Sequence, residues 1–196
     1  MPDVATLKIY FYDRVKNCFE YSSPSESTMV EPKLISQAGI PAALEKATRY
    51  RLLNEPLEAE SICRDVLAVD PENQEAILTL LLAVTDEFDK ELAGALNDAK
   101  SLLPQIKGEY DRAYYEGIIH ERWGNAQLSK GAQTSVGWYH AAMRFYAKAE
   151  ELSERGNDDA VLRWNTCVRI IGRYDFAPEA MTHDISSEYG DDVPLR

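Results

Sequence analysis

The chain has 196 residues and a formal net charge of −12, from 21 Lys plus Arg against 33 Asp plus Glu. Apolar residues make up 45% and charged residues 28%, the balance of an ordinary globular domain, which excludes wholesale disorder, a collagen-like chain and a disulfide-stapled miniprotein. The acidic excess repels phosphate backbones and anionic lipid, so neither nucleic acid nor a membrane surface is expected as a partner.

Residues 1–40 read as an N-terminal extension and linker. Leu7, Ile9 and Phe11 alternate with Lys8, Tyr10 and Tyr12, a period of two that suits a short strand. Ser22 to Thr28 and Glu31-Pro32 then supply turn formers. A lone strand leaves its edges unpaired, so this poorly regular segment pairs with something, packs on the next domain or stays mobile. The first residues lack a basic start followed by an apolar run, so no signal peptide is expected.

From Pro41 to Tyr174, Ala, Leu and aromatic residues recur at spacings of three and four, and the pattern becomes helical. Breaks fall at Asn54-Glu55-Pro56, Asp70-Pro71, Asp86 to Asp89, Pro104, Gly108, near Gly124 and at Gly156-Asn157. They predict seven helices, at about 41–54, 57–69, 73–87, 90–103, 109–123 or longer, 136–155 and 158–173. Asn73, Ser135 and Asp158 are candidate N-caps, because a short polar side chain can accept from the first free N–H groups. Residues 125–134 either lengthen a helix or form a loop. The apolar run Ala76 to Val84 is too short to cross a bilayer and reads as a buried helix. Residues 175–196 are acidic, contain Pro and Ser, and read as a flexible tail.

The helices repeat. Ala47 and Leu81 are 34 residues apart, as are Tyr50 and Val84 and also Ala59 and Ala93, while Pro71 and Pro104 are 33 apart. In Ala43 to Pro71, small Ala47 and aromatic Tyr50 lie in a first helix and small Ala59 in a second, and Leu67-Ala-Val-Asp-Pro71 closes the unit. A small residue at a helix crossing lets backbones approach, and a large one a turn away fills the hollow. These residues resemble the tetratricopeptide repeat. A second unit covers Glu75 to Pro104, its second helix best fitted after a two-residue shift that buries Ala95, Ala99 and Leu102. A third starts at Glu109, with Gly117 as the small residue and Ala142, Tyr146 and Ala149 in its second helix. Asp158 to Gly172 resembles a terminal helix covering the last face. The resemblance implies an all-α fold: tetratricopeptide-like hairpin repeats in a short right-handed solenoid of about seven helices over 41–174.

Candidate chemistry is sparse. Glu116, His120, Glu121 and His140 are the one group an enzyme site would use, but no second His follows at zinc-protease spacing, and a surface Glu–His pair explains Glu116 and His120. Cys18, Cys63 and Cys167 form no CxxC motif and leave one thiol unpaired in any disulfide scheme, which suits reduced thiols in a cytoplasmic protein. Cys63 and Cys167 read as buried apolar residues rather than nucleophiles. Scattered glycines give no phosphate loop, and short acidic runs give no calcium loop. Trp123, Trp138 and Trp164 read as core. No catalytic residue, cofactor or metal is therefore expected.

The expectation is a non-catalytic protein–protein interaction scaffold. The resemblance implies a concave groove lined by the first helix of each unit, here Leu44, Thr48 and Arg51, then Leu78, Leu82 and Thr85, then Tyr114, Ile118 and Glu121, with Asn165 from the last helix. Chaperone-binding members grip an acidic tail with Lys and Asn, where this chain has Leu44 and Thr48, so an apolar or amphipathic protein segment is the expected ligand. The alternatives are an enzyme or enzyme subunit using the Glu–His group, and a self-associating, homo-oligomeric structural module.

Overall fold

The computed structural model describes residues 31–90, 94–128 and 131–174, without the side chains of residues 132 and 133. The expected strand, most of the linker, Cys18 and the tail lie outside the described residues. Contacts divide the chain into units 1–33 and 34–196, and every helix below belongs to the second. That unit begins ahead of the expected Pro41: Ile35 packs against Ile40, Leu44, Val66 and Ala76, and a 3-10 turn spans Gln37–Gly39.

Among the described residues the fold is all-α, with no strand and seven α-helices. They are α1 Ile40–Leu52, α2 Pro56–Val69, α3 Gln74–Asp86, α4 Ala95–Leu102, α5 Glu109–Gln127, α6 Ala132–Leu152 and α7 Asp159–Tyr174. Pro41 and Pro56 sit in the first turns of α1 and α2, where the missing N–H costs no helical bond. α1 ends because Asn54 adopts φ 61°. Its N–H then donates to Arg51 O at 3.0 Å and that of Glu55 to Tyr50 O at 2.9 Å, two bonds that satisfy carbonyls the helix end leaves free. Asn73 caps α3, its Oδ1 accepting from Ala76 N at 3.0 Å. Gln74 then ties this turn to the next, accepting from Lys107 N at 2.9 Å and donating to Gln105 O at 3.2 Å.

Three expected boundaries move. α4 starts at Ala95 rather than near residue 90, after Gly94 at φ 91°. Ser135 is no cap, for α6 begins at Ala132 and buries Ser135 inside it. Asn157 rather than Asp158 supplies the side-chain acceptor at the start of α7, its Oδ1 taking Asp159 N at 3.2 Å. The expected break near Gly124 is absent, because α5 runs through to Gln127.

Each helix packs on the next along the chain, most extensively α5 on α6, with α1 on α2, α2 on α3 and α6 on α7 following and α3 on α4 less extensive, and α1 also touches α3 and α3 touches α5. The core is a chain of clusters. Ala47, Ala59, Cys63, Leu81, Val84, Ala95, Ala99 and Leu102 join α1 to α4, with Ile119 and Trp138 added from α5 and α6. Tyr139, Ala142, Tyr146, Ala149, Ala160 and Cys167 form a second cluster toward α7. The burial of Ala95, Ala99 and Leu102 agrees with the two-residue shift.

The glycines of α5 explain its close fit to α6. A methyl group at Gly117 would stand 2.5 Å from Tyr146 Cε1, and one at Gly124 would stand 3.2 Å from Tyr139 Cε1. Each tyrosine ring thus crosses bare backbone, and each hydroxyl reaches an acceptor on α5: Tyr146 donates to Glu121 Oε2 at 2.6 Å, and Tyr139 to Asn125 Oδ1 at 2.7 Å. Gly124, expected to break the helix, lets a ring settle on it instead.

Candidate functional site

Helix α3 ends in Asp86, with Glu87 next, both acidic at the end of a helix where the backbone dipole is already negative. Cations from neighbouring elements offset them. Arg51 of α1 donates from Nε to Asp86 Oδ2 at 2.8 Å. From α5, Arg122 Nη1 meets the other carboxylate oxygen, Thr85 Oγ1 at 2.6 Å and Leu82 O at 3.0 Å. Lys90 binds Glu87 at 2.6 Å. One step along α5, Glu121 accepts from Tyr146 and faces Arg163 of α7 at 3.4 Å.

The result is a row of charge that touches all four odd-numbered helices. It is reachable from solvent: the side chains of Arg51, Asp86 and Arg122 are 19%, 23% and 22% exposed. Half-buried Leu78, Leu82 and Tyr114 belong to the same helices. A shallow cavity of about 290 Å³ opens beside the row, lined by Asp86, Phe88, Asp89, Arg122 and Asn125 among others. Burial pushes the Tyr114 and Tyr115 hydroxyls above the usual phenol range.

Of the residues expected to line a groove, Arg51, Leu78, Leu82, Tyr114 and Asn165 are partly exposed and Thr48 is exposed. Four are corrected to interior positions. Leu44 and Ile118 are buried core, because α1 and α5 are each packed on two sides. Thr85 is buried beneath Arg122, and Glu121 beneath Tyr146 and Arg163. Of the apolar residues expected in the groove, Leu78, Leu82 and Tyr114 stay accessible while Leu44 and Ile118 do not, and the charged row supplies the accessible polar chemistry. Sequence reasoning missed Asp86 and Arg122; the available signal was the acidic pair at the dipole-negative end of α3, which requires cations nearby.

Of Glu116, His120, Glu121 and His140, the adjacent pair His120 and Glu121 face different neighbours. His120 lies between Trp138 and Phe145, with ring centroids at 5.4 and 5.1 Å, while Glu121 turns toward Tyr146 and Arg163. Burial, with Lys100 and Arg144 adding to it, depresses the His120 pKa to about 4. Burial raises the Glu116 carboxyl above the usual range, with Lys100 and Lys148 opposing. Among the described residues no group of three or more His, Cys, Asp or Glu side chains is placed to hold a metal ion. Burial pushes the Cys63 and Cys167 thiols up to about 12, far from the thiolate a nucleophile needs. Trp123 and Trp138 meet edge to face near Phe88, whereas Trp164 is an exposed exception to the expected core role. No described helix is long and apolar enough to cross a membrane. Compared with protein-family models, with curated proteins and with solved structures, the chain matches none.

Proposed function

We propose that the protein is a non-catalytic interaction scaffold that holds a peptide or helical segment of another protein along the Arg51–Asp86–Arg122 row. Pairing of α1 with α2, α3 with α4 and α5 with α6, together with lateral contacts of α1 to α3 and α3 to α5, supports a tetratricopeptide-like solenoid of three hairpins and a terminal helix. The observation that carries the reading is the row itself: partly exposed guanidinium and carboxylate groups on the alternate helices α1, α3 and α5, with Leu78, Leu82 and Tyr114 supplying apolar contact. Such a surface recognises a segment by polar contacts along its length and by one or two apolar anchors. Free, buried Cys63 and Cys167 fit a reducing compartment such as the cytoplasm.

Selection of a displayed peptide library against the purified protein tests this reading. The expected result is a recurring sequence whose binding falls at least about tenfold with Arg51→Gln or with Tyr114→Ala, while the thermal melts show both variants folded. Failure to recover a saturable binder, or binders indifferent to both changes, would refute it.

A further inference from the structure

The cavity beside the charged row lies between two elements. One wall is the end of α3 with the 3-10 turn Phe88–Lys90 that follows it, and the other is the last part of α5, with Arg122, Asn125 and Ala126. Phe88 ties the turn to α5, its ring meeting Trp123 edge to face at 5.1 Å. At about 290 Å³ the cavity falls at the bottom of the range for small-molecule sites, so it suits one side chain better than a cofactor.

Its charged groups are three, and two of them answer each other. Asp86 gives Oδ1 to Arg122 and Oδ2 to Arg51, which reaches it from α1 and does not line the cavity. Arg122 Nη1 is further occupied by Thr85 Oγ1 and Leu82 O. Lys90, at the end of the turn, is held by Glu87 at 2.6 Å. Asp89 alone of the charged lining groups has no salt bridge among the described residues, and it is exposed. The charge left unanswered at the cavity is therefore negative. Phe88 and Ala126 add apolar surface, against which a methylene stem can lie while its charged end reaches a carboxylate. Asn125 Oδ1 already accepts from Tyr139, which leaves its amide N–H groups as donors.

We propose, resting on the scaffold reading, that this cavity takes a basic side chain, Lys or Arg, of the segment held along the row. Asp89 pairs with the ammonium or guanidinium group, Phe88 and Ala126 flank the stem, and the Asn125 amide donates to a backbone carbonyl beside it. An acidic side chain is rejected, because it would set a second carboxylate beside Asp89 in a chain of net charge −12.

The test titrates the isotope-labelled full chain with three probes, followed by two-dimensional NMR: N-acetyl-lysine methylamide, its norleucine counterpart with the same stem and no charge, and its glutamate counterpart. The lysine probe should shift the backbone amides of Asp89, Asn125 and Ala126 saturably, and the other two should not saturate over the same range. Asp89→Asn should weaken the lysine probe about fivefold, the worth of a partly exposed ion pair, with the melting temperature unchanged, and added salt should weaken it likewise. Equal shifts from norleucine, saturation by glutamate, or indifference to both Asp89→Asn and salt overturns the proposal. So does the absence of any saturable shift, the result expected if the chain's own residues close the cavity. The probes read the cavity without a bound segment, so this outcome is separate from that of the peptide selection. Selected peptides that need Arg51 and Tyr114 but place no Lys or Arg at a fixed position would leave the scaffold standing and overturn the basic subsite. Saturable lysine-probe shifts with no peptide recovered would support the cavity's preference for a cation and refute the scaffold.

Discussion

Acid should weaken this fold through His120. The residue is 6% exposed, its ring is held between Trp138 and Phe145, and its buried Nδ1 has no partner. An imidazolium there would be desolvated, with Lys100 and Arg144 repelling it, so its folded pKa lies at about 4 against the usual 6.5. The unfolded chain binds the proton more readily than the folded one. The stabilisation from neutral His120 is therefore complete above pH 6.5 and is lost as the pH falls toward 4. The interval of about 2.5 pH units corresponds to about 3 kcal/mol. His120→Phe keeps an aromatic ring in the slot and removes the titration. Urea denaturation of both proteins, followed by circular dichroism between pH 7.5 and pH 4, isolates the effect, because carboxylates common to both cancel in the difference. Relative to wild type, the variant should gain about 3 kcal/mol over that range. Parallel stability curves would refute the burial argument.

Gly117→Ala drives a methyl group into Tyr146 and should cost about 1–3 kcal/mol in urea denaturation; an unchanged midpoint would mean that the ring does not lie across α5. Cys63 and Cys167 should resist an aromatic disulfide reagent at pH 8 in the folded protein and react once urea is added, as peptide mass spectrometry would read; rapid native labelling of either would contradict their burial.

Helix positions were legible where the chain is punctuated by residues that act locally. Pro41, Pro56 and Pro104, the Asn54 turn and the Asn73 cap impose backbone geometry whatever surrounds them, and apolar spacing marked the covered face of α4. Gly124 misled because its role depends on a ring fifteen residues further along the chain, and Ser135 because α6 begins three residues before it. A glycine weakens an isolated helix, yet here Tyr139 occupies the space it leaves. Leu44 and Ile118 were placed on an open face because spacing cannot tell a helix packed on one side from a helix packed on two. The pairing of Asp86 with Arg122 crosses 36 residues and obeys no period, so only the unfavourable acid at the helix end hinted at it.

The crossings of Tyr146 over Gly117 and Tyr139 over Gly124 also constrain how the sequence can drift. A side chain at 117 displaces the ring at 146, and a smaller residue at 146 removes the hydroxyl that Glu121 accepts. Glu121 would then stand in the interior with Arg163 alone, and a neutral replacement at 121 would strip Arg163 of its carboxylate. A single neutral step at any of these positions is therefore scarce. Positions 117, 121, 146 and 163, spread over three helices, are bound to change together or to stay as they are.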